Sequence, residues 1–86
     1  MPQHALNPVL LNRTDEVGLL PRTAMCLTTA NILYIGDLIQ MTEPELLRTP
    51  HIGVTALHDI KMMLAGLKLH LGMQVPEWPP ENIGRR

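Results

Sequence analysis

The stretch Thr49-Pro50-His51-Ile52-Gly53-Val54-Thr55-Ala56-Leu57 has the form of a hairpin that delivers a glycine to the first turn of a helix. A shorter version, Tyr34-Ile35-Gly36-Asp37-Leu38, precedes it. Glycine lets the backbone turn sharply and lets another molecule approach the main chain closely. The free N–H groups of a helix start can then donate to a phosphate oxygen. Two such units suggest a paired helix-hairpin-helix module that holds a nucleic-acid backbone without reading its bases. A plain helical bundle with two unrelated glycine turns is the competing reading.

Other chemistry finds less support. His4, His51, His58 and His70 show no metal-ligand spacing, and one cysteine does not complete a structural zinc site. Cys26 as a nucleophile would need a nearby histidine and an exposed thiolate. No glycine-rich loop of the nucleotide-hydrolysing kind is present. The reading is therefore non-catalytic, with no catalytic residue, metal or cofactor expected.

The elements that must position these turns follow from composition. The chain has 86 residues, 45% of them hydrophobic, enough for one small domain with a single core. Phe is absent, and the aromatics are Trp78 and Tyr34. A core of Leu, Ile, Val, Met and Ala suits packed helices better than a sheet. The lone Cys26 excludes an internal disulfide, and no apolar run reaches membrane-spanning length. A cytoplasmic setting without membrane contact is expected. The net charge of −1 argues against strong autonomous binding to phosphates.

Residues 1–15, with Pro2 and Pro8, read as an extended arm anchored by Val9-Leu10-Leu11. A helix should start at Pro21, which suits a first helical position, and stop between Thr28 and Ala30. Gly36-Asp37 should open a short helix ending at Gln40 or Met41. Thr42-x-x-Glu45 is a capping box for a brief helix over about 43–48, closed by Pro50. The longest helix should run from about Val54 to Leu67, burying Leu57, Ile60, Leu64 and Leu67, with Gly66 and Gly72 weakening its end. The expected fold is all-α. It is a compact bundle of four to five short helices with two helix-hairpin-helix units, an extended arm and an irregular tail. Residues 16–75 form the body, and in residues 76–86 Trp78 folds back on the core.

Several segments carry a family resemblance in matching order and spacing. They are Asn7-Pro8-Val9-Leu10-Leu11, Arg22-Thr23-Ala24-Met25-Cys26-Leu27, Tyr34-Ile35-Gly36-Asp37-Leu38, Thr42-Glu43-Pro44-Glu45-Leu46-Leu47-Arg48-Thr49-Pro50, Leu71-Gly72-Met73 and Trp78-Pro79-Pro80. Over Asn7 to Ile83 the sequence resembles the carboxy-terminal domain of the bacterial RNA polymerase alpha subunit. The resemblance implies a non-catalytic helical regulatory domain, linked to an amino-terminal domain that dimerises and nucleates polymerase assembly. It implies binding to the minor groove of A·T-rich upstream promoter DNA, docking with transcription activators and sigma factor, and a nucleoid-associated cytoplasmic location. The start of the sequence is then the end of the interdomain linker.

Carried over residue by residue, the DNA-binding set is Arg22, Met25, Cys26, Gly53, Thr55, Ala56 and Asp59. Arg22 matches the arginine that enters the groove, where narrow A-tracts concentrate negative potential; otherwise it is a solvated first-turn arginine. Gly53 matches the glycine whose main chain meets phosphate, or else serves a positive-φ turn. Met25 stands where the family commonly has Asn, and a thioether cannot donate to groove acceptors. Val54-Thr55-Ala56 stand for Lys-Lys-Ser, so two cations are missing. Asp59 is a shorter form of the usual acidic residue, and protonated His51 and His58 could restore some charge. Weakened DNA binding is expected, which leaves either an unlike partner alpha subunit or protein docking to compensate. Asp15 and Glu16 fall close to the sigma-facing patch, where Gly18 replaces an acidic residue. Thr42, Glu43 and Glu45 fall on the activator-facing patch, where Pro44 replaces an apolar residue; capping alone would also explain these acidic residues. The alternative function is activator docking with little or no autonomous DNA binding.

Overall fold

The computed structural model describes residues 8–79. Asn7, Pro80 and Ile83 of the resemblance, and His4, lie outside the described residues. Four α-helices make up the body: α1 (Pro21–Thr29), α2 (Ile35–Ile39), α3 (Glu43–Leu47) and α4 (Val54–Gly66). No strand occurs among the described residues, only an isolated antiparallel bridge between Arg13 and Tyr34.

Each helix has a local cause. Pro21 at N1 starts α1, and Asn31 ends it in the left-handed region at φ 67°. There Asn31 N donates to Thr28 O (3.0 Å) and Ile32 N to Leu27 O (2.8 Å), the paired bonds of a Schellman end. Lys68 ends α4 in the same way at φ 62°, with Leu69 N donating to Leu64 O at 2.8 Å. Leu27, Ile32, Leu64 and Leu69 are all buried, so each reversal is fastened by apolar contact. A lysine rather than Gly66 therefore makes the turn after α4. For α3, Thr42 and Glu45 cap reciprocally: Thr42 N donates to Glu45 Oε1 (2.8 Å) and Glu45 N to Thr42 Oγ1 (3.4 Å).

The core takes Leu27 from α1, Ile35, Leu38 and Ile39 from α2, Leu46 from α3, and Leu57, Ile60 and Leu64 from α4. Ile52 fills it from the hairpin before α4 and Leu10 from the amino-terminal segment. That segment is more regular than an extended arm, with 3-10 turns at Pro8–Leu11 and Thr14–Glu16. Thr14 N donates to Leu33 O (2.9 Å) and Ile35 N to Asn12 O (2.9 Å), which zips residues 12–14 onto the approach to α2. The buried Thr14 hydroxyl donates to Ile32 O at 2.9 Å, so its burial carries no unpaired polar atom.

After α4 the backbone returns to α2, with Gly72 N donating to Met41 O (3.0 Å) and Met73 N to Ile39 O (2.9 Å). Trp78 then lies against Gly36. Its Nε1 donates to Asp37 Oδ1 (2.7 Å), and its ring meets Tyr34 edge-on at 6.2 Å. The other oxygen of Asp37 accepts from Tyr34 N at 3.2 Å, which caps α2.

Candidate nucleic-acid interface

The two Ile-Gly pairs have different surroundings. Gly36 is buried, and a Cβ there would stand 2.5 Å from the Trp78 ring. Its face is filled by the protein's own indole and is closed to any outside molecule. Gly53 is exposed, and a Cβ on it would meet nothing within 4 Å. Its φ of −109° and ψ of −165° are extended backbone, open to any residue. A positive-φ requirement therefore does not explain Gly53. The left-handed residue of this hairpin is His51, at φ 71°.

Gly53 is the N-cap of α4, so the N–H groups of Val54, Thr55 and Ala56 emerge beside it without intrahelical acceptors. Leu20, Arg22, Thr23, His51, Gly53, Val54, Thr55 and Ala56 line one concave surface. The starts of α1 and α4 thus converge on the same hollow. Both helix dipoles place partial positive charge there. Arg22 is exposed and forms no ion pair among the described residues, so its charge is available to a ligand.

A second hollow adjoins this one and is lined by Arg22, Met25, Cys26, Thr29 and His51. The α1 members sit at i, i+3, i+4 and i+7, one face of a helix. That period extends to Thr29, which is absent from the residues singled out in the sequence although the spacing could have found it. Cys26 Sγ donates to His51 O at 3.4 Å, which ties α1 to the hairpin. Asp59 Oδ2 accepts from Leu20 N at 2.9 Å, which ties α4 to the start of α1. Six of the seven candidate residues thus line the two hollows, and Asp59 braces them from α4.

The surface is not uniformly polar. Met25 is 70% exposed and Val54 76%, large values for apolar side chains.

The acidic candidates are elsewhere engaged. Asp15 accepts two hydrogen bonds from the Arg13 guanidinium at 3.2 Å, and these hold its carboxyl below the usual carboxylate range. The same contact raises Arg13, whose guanidinium also sits 6.0 Å from the Tyr34 ring centre. Glu16 is exposed beside them. Glu43 pairs with Lys61 at 2.8 Å, and Thr42 and Glu45 cap α3. All three remain solvent-exposed, so these local bonds leave them accessible.

Among the described residues no cluster of three or more His, Cys, Asp or Glu could hold a metal ion. No described helix is long and apolar enough to cross a membrane. The family model for the C-terminal domain of the bacterial RNA polymerase alpha subunit matches residues 2–66. The protein belongs to that family.

Proposed function

We propose that this RNA polymerase alpha C-terminal domain binds the minor groove of A·T-rich upstream promoter DNA. The observation that carries the reading is the shared hollow in which the exposed Arg22, the open Gly53 backbone and two helix starts meet. Arg22 enters the groove, where narrow A·T tracts concentrate negative potential. The first-turn N–H groups of α4 hold an adjacent phosphate, and the bare Cα of Gly53 permits the approach.

The domain makes no chemistry of its own. It serves a polymerase whose alpha subunits pair through an amino-terminal domain, and the segment from Leu10 to Thr14 belongs to the packed body rather than to a linker. The setting is the cytoplasm, at the nucleoid. Thr42, Glu43 and Glu45 offer a surface to transcription activators, and Asp15 and Glu16 one to sigma factor.

Among the residues that line the hollow, Arg22 alone carries a permanent positive charge. Each phosphate neutralised contributes about 0.9 to the salt slope, so binding is weak and only shallowly salt-dependent. A second reading follows from exposed Met25 and Val54: this face docks a protein and DNA binding is largely lost.

Fluorescence anisotropy against an A·T-rich duplex and a G·C-rich control at low salt tests the choice. The first reading predicts A·T-preferring binding that Arg22→Ala abolishes. Equal absence of binding to both duplexes would leave protein docking as the function.

A further inference from the structure

We infer that Asp59 is a positioning residue: it caps α1 from α4 and so fixes where Arg22 stands relative to the Gly53 backbone. The inference rests on the DNA-binding reading above. Helix α1 cannot cap itself. Its N-cap is Leu20, which has no side-chain acceptor, and its first turn holds no acidic residue. The carboxylate comes instead from α4, with Asp59 Oδ2 accepting the Leu20 N–H at 2.9 Å. A negative charge at that end also complements the α1 dipole.

Leu20 lies just before Arg22, and Asp59 lies in the second turn after Gly53. The bond therefore joins the two walls of the hollow directly. A reciprocal tie runs the other way, from Cys26 Sγ to His51 O. Gly18, at φ 86°, turns the backbone into the tied segment. Without the Asp59 bond, Leu20 and the first turn of α1 lose their only side-chain hydrogen bond to α4 among the described residues. A direct contact between this carboxylate and DNA is electrostatically unfavourable, since it would face phosphates of like charge.

The test compares wild type, Asp59→Asn and Asp59→Ala in anisotropy titrations against the A·T-rich duplex over a salt series, with far-UV circular dichroism to confirm folding. Asn keeps an acceptor for Leu20 N–H and removes the charge, so Asp59→Asn should bind as tightly as wild type or tighter. Asp59→Ala should weaken binding about fivefold, the scale of one lost hydrogen bond, with an unchanged slope against log salt because no phosphate contact is lost. Tighter binding by Ala as well as Asn would show a merely repulsive carboxylate. Loss in Asn equal to that in Ala would show a contact that needs the charge. Either result overturns the inference. If Asp59→Ala does not fold, a folded Asp59→Asn that binds normally supports the positioning role and one that loses binding refutes it. Failure of wild type to prefer the A·T duplex would instead refute the DNA-binding reading beneath it.

Discussion

Adding one methyl group at Gly36 should damage this domain through its own tail. A Cβ there stands 2.5 Å from Trp78 ring atoms, well inside van der Waals contact. Two responses are available. The ring can be squeezed aside, an overpacking strain of about 1–3 kcal/mol. Alternatively it can leave, which sacrifices an aromatic contact and the 2.7 Å bond from Nε1 to Asp37. The cheaper response sets the loss, so Gly36→Ala should destabilise by about 1–3 kcal/mol. At about 4–8 °C per kcal/mol for a domain of this size, Tm should fall by roughly 5–20 °C. Trp78 is the only tryptophan, so its fluorescence reports on the affected contact during thermal unfolding. The decisive comparison is the same substitution with Trp78→Ala already present. Relieved of the ring, alanine in place of a helical glycine should stabilise by about 0.5–1 kcal/mol. An equal loss in both backgrounds, or no loss with Trp78 in place, would refute the steric argument.

Gly53→Ala should leave stability within about 1 kcal/mol of wild type, since the new Cβ meets nothing and φ is negative. It should nevertheless weaken binding to the A·T-rich duplex severalfold, because the methyl occupies the space a phosphate would enter; thermal melts and anisotropy on one sample read both. Lys68→Gly should raise stability by about 1 kcal/mol, as glycine relieves a side chain held at φ 62°, measured by urea unfolding. Asp15 has a folded-state pKa depressed mainly by its hydrogen bonds from Arg13. Its stabilising contribution is therefore present above the unfolded carboxyl range and lost as pH falls through the depressed value. Arg13→Ala should move the Asp15 titration midpoint upward in carbon-detected NMR and flatten the acid limb of the stability curve.

The helix starts were legible because their signals are local. Pro21 at N1 and the Thr42–Glu45 box act through their own backbone neighbours, and both helices begin where those residues place them. The ends of α1, α3 and α4, at Thr29, Leu47 and Gly66, also fall within a residue or so of where the sequence places them, but the residues that make the reversals were less legible. Glycine marks a left-handed turn in sequence, yet the left-handed residues after α1, after α3 and after α4 are Asn31, His51 and Lys68. Buried Ile32, Ile52 and Leu69 follow them, and core burial outweighs the local preference for glycine. The docking of the amino-terminal segment was hidden because Leu33 and Ile35, which bond to Thr14 and Asn12, lie far along the sequence. The same cause separates the two Ile-Gly pairs. The dipeptides are identical, but Trp78 arrives from the distant tail to cover one of them. The α1 face of the site was readable from helical spacing, whereas the Asp59 tie across to Leu20 needs the packed structure.

The central claim is that a DNA backbone seats where α1 and α4 begin. A titration of the 15N-labelled domain with an A·T-rich duplex, followed by amide chemical shifts, tests it most directly. The largest shifts should fall on Arg22, Thr23 and Gly53 through Ala56, with the Trp78 indole and Gly36 amide unmoved. Shifts centred on Thr42 to Glu45, or none at saturating duplex, would contradict the account.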